Sequence, residues 1–432
     1  MRVFTVLGPS QSGKTELVKA VSSLEGGAHA KSETAGHLTV TKFAFMDEPW
    51  VALDLAGGPE FARMGGAALM ASDAVVLVVP PDPDEAVLAA PYLRAIEDAG
   101  TPAFLFINKV DAPKGRIRDA IGALQAYSAH PIVLRQIPIR EGGQIVGAVD
   151  LISERAWRYR EGQTSELVQM PAAVAEREHE ARAELLEQMS DYDDELLGEL
   201  IEDHVPATGA LFEVARRETE KAQVIPAFLG AASHRNGVLR LMKALRHEAP
   251  DVSVLAARLG DKRALAVGFH AENRKHLGKC VFLRALGAGI AAGAQMAGAG
   301  HGGLADVGGQ AGLDHLGPGE VGLSVKSDQL SAGRVFTAAE AKPAPDWAAA
   351  PPPAFMRIVT PVHDRDEVRL STALSRLAEA DPSLTLTQDE ATGHAVVGVQ
   401  GQMHLRQALA ALAEDFGIEV TTRVPEPRYL ET

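Results

Sequence analysis

Cysteine is nearly absent from this chain, which limits the kind of protein it can be. The 432 residues include one cysteine, Cys280, so no disulfide can form within the chain. Proteins of oxidising compartments commonly rely on disulfides, and a chain without them fits a reducing cytoplasm. We therefore interpret Cys280 as a buried structural thiol and predict a cytoplasmic protein.

Long apolar runs and an excess of positive charge are also missing. No stretch reaches the roughly 20 apolar residues of a membrane-spanning helix. The chain starts directly on a predicted strand, without the basic, apolar and small-residue regions of a signal peptide. Its net charge of -15 argues against generic electrostatic binding to nucleic acid. We expect no membrane association and no sequence-specific DNA binding.

The strongest motif lies at the start of the chain, between a predicted strand at 2–7 and a predicted helix. Its residues are Gly8, Pro9, Ser10, Gln11, Ser12, Gly13, Lys14 and Thr15. The pattern G-x-x-x-x-G-K-T in this context is typical of a P-loop, whose backbone N–H groups surround phosphate oxygens. Lys14 would reach the β- and γ-phosphates as the catalytic cation, and the Thr15 hydroxyl would bind Mg²⁺. The motif predicts a nucleoside triphosphate site, and the alternative is a turn that matches by chance.

A second metal ligand is predicted at the end of a hairpin. We interpret 22–37 as a mobile loop, and two strand-like segments follow it, 38–45 and 50–55, with turn residues between them. Asp54 lies at the carboxyl end of the second segment, where a P-loop fold has its other Mg²⁺-anchoring group. The alternative is an ordinary aspartate at a strand end.

Base recognition is predicted from the loop after a buried strand. Apolar segments at 74–79 and 103–107 alternate with a helical pattern, which is typical of a doubly wound α/β sheet. The second segment runs into Asn108, Lys109 and Asp111 in the pattern N-K-x-D. Guanine offers two adjacent donors, N1–H and the N2 amine, that one carboxylate accepts together, and adenine has no such pair. Together with the P-loop, the pattern favours GTP or GDP over ATP.

With these motifs in this order, the chain resembles translation elongation factor G, a translational GTPase, over nearly all of its length. Segment 224–232 resembles the strand and loop that close over the guanine base, which implies that Ala231 and Ala232 contact the nucleotide. The family usually has Ser where Ala231 stands, so one hydroxyl contact is lost and the backbone contacts remain. The resemblance implies GTP or GDP as ligand, Mg²⁺ as cofactor and the ribosome as a partner.

The chain is too long for one ordinary domain. We predict an α/β P-loop GTPase domain at 1–251 that contains, by the resemblance, an inserted subdomain at about 135–222. Short apolar pieces separated by glycines predict a small translation-factor-type β-barrel at 252–342. A linker at 343–353 precedes a β-α-β-β-α-β order at 354–432, which predicts a ferredoxin-like α+β domain. The resemblance stops before the family's fourth and fifth domains, so we do not expect translocation.

Two departures from the family pattern bear on hydrolysis. The family's D-T-P-G-H is replaced at positions 54–58, and Gly58 stands where the water-orienting His would be, which predicts slow hydrolysis with binding retained. The family's R-G-I-T, whose Thr binds Mg²⁺, is missing from a shorter first switch loop. Thr34 is the nearest candidate for that Thr, and a loop Thr without a metal role is the alternative. His37 could orient water, and a surface His is the alternative.

Two functions stay open from the sequence. The first is a GTP-binding protein that binds GTP·Mg²⁺, hydrolyses GTP to GDP slowly or when a partner completes the site, and acts in translation. The second is a non-hydrolysing guanine-nucleotide-dependent interaction module. A P-loop kinase is a weaker hypothesis, because no acceptor site is recognisable and the N-K-x-D pattern indicates a guanine pocket.

Overall fold

A computed structural model of the protein describes residues 1–26, 30–58, 64–112, 115–274 and 276–425. The chain forms two compact units. The first comprises Met1–Gly57, Ala71–Lys262 and Pro318–Glu320, and the second comprises Gly58–Met70, Arg263–Gly317 and Val321–Thr432. In the part of the chain that the structure describes, every helix is too short or too polar to cross a membrane.

The first unit contains an eight-stranded sheet and a smaller four-stranded sheet. In chain order the strands are β1 (Arg2–Leu7), β2 (Lys31–Ala35), β3 (Leu38–Phe45), β4 (Glu48–Leu55), β5 (Ala74–Val79), β6 (Ala103–Ile107), β7 (Ile132–Leu134), β8 (Gln136–Glu141), β9 (Gln144–Asp150), β10 (Arg155–Arg158), β11 (Glu166–Val168) and β12 (Ile225–Leu229). The large sheet has the order β2-β3-β4-β1-β5-β6-β12-β7, and the small one has the order β11-β10-β9-β8. Strands β4, β1, β5, β6, β12 and β7 run parallel, so their carboxyl ends meet at one edge of the large sheet.

The helices of both units share one numbering. They are α1 (Lys14–Ser22), α2 (Gly65–Met70), α3 (Pro83–Ala86), α4 (Ala90–Asp98), α5 (Ile117–Gln125), α6 (Ala172–Ser190), α7 (Asp194–Ile201), α8 (Thr208–Glu220), α9 (Val238–Glu248), α10 (Val252–Arg258), α11 (Glu367–Ala380) and α12 (Gln402–Glu414). Short 3₁₀ turns occur at Val87–Ala89, Ala232–His234, Asp346–Ala348 and Asp364–Asp366. Apart from α2, α11 and α12, the helices belong to the first unit.

The central strands follow the prediction closely. The segments predicted at 2–7, 74–79 and 103–107 are β1, β5 and β6, and all their residues except Arg2 are buried. Side chains that are apolar on both faces suit parallel strands covered on both sides. The predicted hairpin is also confirmed, because β3 and β4 pair antiparallel. Its turn is at Met46 and Asp47, whose φ angles of 51° and 61° are typical of a two-residue hairpin turn.

The prediction of a loop through 22–37 is wrong for β2. This strand pairs antiparallel with β3, and hydroxyl pairs cross between them, from Ser32 to Thr41 at 2.9 Å and from Thr34 to Thr39 at 3.1 Å. The strand is short, mostly polar and at the sheet edge, so it lacks the apolar alternation that identifies a strand in sequence. Residues 27–29 of the predicted loop lie outside the described residues.

The four-stranded sheet of the first unit lies within the segment predicted as an insertion. It packs with α6, α7 and α8 around its own cluster of buried apolar side chains, which includes Val149, Leu185, Met189 and Val214. Its antiparallel strands and the helices that follow them bury apolar side chains against one another. The four strands form a sheet of their own, separate from the large sheet.

The second unit is rich in β-structure. Its strands are β13 (Ala266–Arg274), β14 (Gly278–Ala285), β15 (Ile290–Ala291), β16 (Gln295–Met296), β17 (Ala299–Gly300), β18 (Gly303–Ala305), β19 (Gly312–Leu313), β20 (His315–Leu316), β21 (Val321–Val325), β22 (Arg334–Phe336), β23 (Ala341–Pro343), β24 (Phe355–Pro361), β25 (Thr385–Gln388), β26 (Ala395–Val399) and β27 (Val420–Arg423). A seven-stranded sheet has the order β19-β18-β21-β14-β13-β22-β23, and a separate sheet has the order β25-β26-β24-β27. With α11 and α12, the latter follows the predicted β-α-β-β-α-β order. The closure of a barrel and the domain boundaries stay predictions.

Candidate functional site

The P-loop connects the carboxyl end of β1 to the start of α1. Gly8 and Gly13 both have positive φ angles, 144° and 95°. A side chain at Gly8 would lie 2.2 Å from the carbonyl oxygen of Val78, and one at Gly13 would lie 2.2 Å from Nδ2 of Asn108. Backbone conformation and close approach therefore both require glycine at these two positions.

Lys14 and Thr15 begin α1 and face the strand that carries Asp54. The Lys14 ammonium donates to the carbonyl oxygens of Gly8 at 3.0 Å and Pro9 at 2.9 Å. The Thr15 hydroxyl donates to Oδ2 of Asp54 at 2.7 Å. The structure thus brings together the predicted cation and both predicted metal ligands.

Burial shifts the pKa values of Lys14 and Asp54. It lowers the pKa of Lys14, and the charge of Asp54 partly opposes that effect. Burial likewise raises the pKa of Asp54, while the hydrogen bond from Thr15 and the charge of Lys14 act in the opposite direction. Each charged group is therefore partly desolvated and stabilised by the other, and both would interact strongly with a phosphate or a cation.

A cavity of about 520 Å³ lies next to Lys14, Thr15 and Asp54. Of the predicted site residues, it is lined by Ser10, Gln11, Gly13, Lys14, Thr15, Asp54 and Lys109, and its other lining residues include Gly36, His37, Thr39 and Gly57. His37 is fixed through its backbone, because its carbonyl oxygen accepts a hydrogen bond from the Ala56 N–H at 3.0 Å. The structure thus puts His37 in the cavity wall, which fits the water-orienting hypothesis and does not test it.

Gly57 explains how the loop after Asp54 closes on the P-loop. A side chain at Gly57 would lie 2.3 Å from Nζ of Lys14 and 2.9 Å from the carbonyl oxygen of Pro9. The loop can approach the ammonium group this closely only because Gly57 has no side chain. No pattern in the sequence identified this contact.

Two positions singled out in the predicted γ-phosphate loops, Thr34 and Gly58, are not among those that line the cavity. Thr34 lies on β2, where its hydroxyl pairs with that of Thr39. Gly58 groups with the second compact unit, and it directly precedes residues 59–63, which lie outside the described part of the chain. The proposed metal role of Thr34 and the consequence of a glycine at Gly58 both stay predictions.

Asn108 connects the P-loop to the loop after β12. Its Nδ2 donates to the Ser12 carbonyl oxygen at 2.9 Å, and its Oδ1 accepts from the Ala232 N–H at 2.9 Å. Lys109 adds a second link, because its Nζ donates to the Gln11 carbonyl oxygen at 2.7 Å. The N-K-x-D loop is therefore fixed to the P-loop and to the loop after β12.

The loop after β12 is held by its own backbone. Ala231 and Asn236 exchange both backbone hydrogen bonds, at 3.1 and 3.0 Å. Asp111 faces this loop, and its Oδ2 lies 3.3 Å from Nε2 of His234. The other imidazole nitrogen, Nδ1, lies 2.6 Å from Oε1 of Glu161 in the inserted segment. Sequence reasoning missed both partners: His234 is two residues beyond Ala232 and had no motif, and Glu161 is distant in sequence.

The residues present fit a nucleotide with Mg²⁺. Thr15 and Asp54 offer hydroxyl and carboxylate oxygens, which Mg²⁺ prefers, together with phosphate oxygens and water. Within the described ranges, no group of three or more His, Cys, Asp or Glu side chains could hold a metal ion by itself. A Mg²⁺ ion here would therefore depend on the bound phosphates for part of its coordination.

Comparison with known proteins identifies the family. A family model for elongation factor G, domain III, matches residues 350–424. An elongation factor G-like protein of Synechocystis sp. is 30% identical over an alignment of 456 positions, gaps included, that covers 100% of this chain and 68% of that protein. A crystal structure from Thermus thermophilus superimposes with a TM-score of 0.82 at 26% identity, covering 99% of this chain and 67% of the other. The α/β unit that carries the P-loop and the β-rich unit that follows it are thus found together in known proteins, and this chain belongs to the elongation factor G-like family.

Proposed function

We propose that this protein binds GTP and GDP with Mg²⁺, and that it hydrolyses GTP slowly or when a partner completes the site. One observation carries the proposal. Contacts run without a break from Asp54 through Thr15 and the P-loop to Asn108 and Ala232. They join an oxygen pair suited to Mg²⁺ to the loop that would close over the base.

Each residue has a distinct role in this proposal. The P-loop N–H groups bind the phosphates, and Lys14 exchanges its two carbonyl partners for β- and γ-phosphate oxygens. Thr15 and Asp54 hold Mg²⁺, which neutralises phosphate charge when bound. Asn108 fixes the base loop, and Asp111 accepts from guanine N1–H and the N2 amine.

In this proposal, GTP binding needs only this chain, whereas efficient hydrolysis depends on a partner. Gly57 and Gly58 provide no side chain to orient the attacking water, so the isolated protein is expected to turn over GTP slowly. Family membership supports the ribosome as the partner that could complete the site. We therefore propose a role in translation. In that role the second compact unit, with its seven-stranded sheet and its ferredoxin-like sheet, responds to the bound nucleotide.

Equilibrium and single-turnover measurements test the proposal. Titration with fluorescent GDP, competed with GTP or ATP, should show strong guanine preference, and GTP cleavage should be slow alone and faster with ribosomes. Lys14→Ala should lose most nucleotide affinity, whereas Lys221→Ala, at an exposed position in the same unit, should leave it unchanged. Equal affinity for ATP and GTP would contradict the proposal for the base pocket, and fast cleavage by the purified protein would contradict the proposed effect of Gly58.

The second candidate is a non-hydrolysing module whose GTP-bound form binds a partner. The absence of a side chain at Gly58 is the observation that favours it. Nucleotide-dependent binding to ribosomes, with no GTP cleavage in single-turnover experiments under either condition, would support this alternative over the GTPase.

A further inference from the structure

His234 lies between two carboxylates at the base side of the site. Its Nε2 is 3.3 Å from Oδ2 of Asp111, and its Nδ1 is 2.6 Å from Oε1 of Glu161. Asp111 is the residue proposed to read guanine, whereas Glu161 belongs to the segment after β10. The imidazole therefore joins the base-reading carboxylate to the inserted four-stranded sheet.

The inserted segment is fixed where Glu161 leaves it. The Tyr159 hydroxyl donates to the carbonyl oxygen of Leu229, the last residue of β12, at 3.1 Å. The guanidinium carbon of Arg240, on α9, lies 3.7 Å from the centre of the Trp157 ring. Two contacts thus anchor alternate residues of this segment to the strand and helix on either side of the base loop, and they direct Glu161 towards His234.

We propose that His234 is a positioning residue for guanine recognition, which holds the Asp111 carboxylate in place and is itself oriented by Glu161. This inference rests on the proposed function, because it specifies how the same base pocket obtains its selectivity. Asp111 must present both oxygens to guanine, and a donor on its Oδ2 restricts rotation of the carboxylate. The insertion thereby contributes to specificity through a side chain that does not touch the base.

The protonation state of the imidazole follows from its partners. An imidazole donates from both nitrogens only when it is protonated, and here each nitrogen faces a carboxylate. The hydrogen bond with Glu161 is the main cause that raises the pKa of His234; burial opposes it, and the charges of Glu161 and Asp111 add to the rise.

Loss of that proton removes one of the two donors. As pH rises through the raised pKa of His234, its contact with one carboxylate is lost, and the affinity for GDP should fall. A charge-assisted hydrogen bond of this kind corresponds to about a tenfold change in affinity. Below that pH the imidazole keeps both donors, and the full affinity should be retained.

Variants of the full chain separate positioning from a merely structural role. His234→Ala should weaken GDP binding about tenfold at pH 6, and its affinity should approach that of the wild type as pH rises above the raised pKa of His234. His234→Gln, which keeps one donor, should restore part of the affinity but not the pH dependence. Glu161→Gln should shift the pH dependence to lower pH, and Glu166→Gln, at an exposed position on β11, is the matched control.

Inosine diphosphate provides the specificity readout, because its base lacks the N2 amine. The ratio of GDP to inosine diphosphate affinity should fall in His234→Ala, since a rotating carboxylate no longer accepts from both guanine donors. An unchanged ratio and pH profile, or tighter GDP binding, would overturn the inference. The proposed function would still stand in that case if the wild type prefers guanine nucleotides. Failure of the wild type to bind guanine nucleotides would overturn both.

Discussion

At the residue scale, the site depends on single side chains that each serve two loops. Asn108 donates to the P-loop and accepts from the loop after β12, so one amide sets the distance between these two loops. An amide suits this position because it carries a donor and an acceptor on one rigid group. Aspartate would lose the contact with the Ser12 carbonyl oxygen, and leucine would lose both contacts.

Asp111 is the residue proposed to read the base, and a substitution there tests that role. Asp111→Asn replaces an acceptor with a donor, so the variant should lose GDP affinity by about a hundredfold and prefer xanthine diphosphate, which offers an acceptor in place of the guanine amine. Competition titration with the two diphosphates measures this preference. Unchanged preference for GDP would show that Asp111 does not read the base.

At the element scale, a buried carboxylate on α8 affects stability. Glu218 is buried, and within the described residues neither of its carboxylate oxygens has a hydrogen-bond partner. Burial, with the nearby charge of Asp193, raises its pKa to about 8, although Arg217 and Arg135 oppose the shift. The folded protein therefore retains a proton that the unfolded chain releases near the ordinary value of 4.5.

This proton makes stability depend on pH in a defined direction. Between about pH 4.5 and 8 the folded state binds more protons than the unfolded state, so the contribution of Glu218 to stability falls as pH rises. Glu218→Gln should remove this slope and stabilise the protein by roughly 1–3 kcal/mol at pH 8. Urea denaturation at pH 5 and pH 8 measures the effect, and an equal slope in the variant would contradict it.

The elements also show which parts of this molecule can be predicted from sequence. β1, β5 and β6 were predictable because parallel strands covered on both faces are continuously apolar, and the P-loop was predictable because glycines at Gly8 and Gly13 are sterically required. β2 was not, because a polar edge strand resembles a loop. The His234 contacts were not, because they arise from packing of the insertion against the base loop and leave no periodic pattern.

At the scale of the whole molecule, each compact unit has its own hydrophobic core. One core surrounds the large sheet of the first unit, and others lie within the second unit. The second unit also contains a buried imidazole, His404, whose Nε2 lies 3.0 Å from Oδ2 of Asp381 and whose Nδ1 accepts from the Gln400 N–H at 3.2 Å. Separate cores predict that the two units respond to different perturbations.

Calorimetry can assign unfolding transitions to the units. GDP·Mg²⁺ at a hundred times its Kd should stabilise the first unit by about 2.7 kcal/mol and raise only its transition temperature. His404→Ala should lower the other transition, because it removes a buried imidazole together with its contacts to Asp381 and the Gln400 N–H, at a cost of about 1–3 kcal/mol. If ligand and substitution shift the same transition by the same fraction, the units unfold as one, and the prediction fails.

Gly13 and Gly57 line one cavity, yet they would tolerate evolutionary drift differently. A smaller side chain at position 108 would remove the contact with Gly13 but would not permit a larger residue there. The φ angle of 95° at Gly13 would still strain any residue with a side chain. At Gly57, by contrast, the obstacles are the end of Lys14 at 2.3 Å and the Pro9 carbonyl oxygen at 2.9 Å, so a larger residue there would displace the ammonium group and the P-loop backbone. A substitution at Gly57 is therefore expected to move Lys14 away from its place in the P-loop and to weaken the proposed phosphate binding.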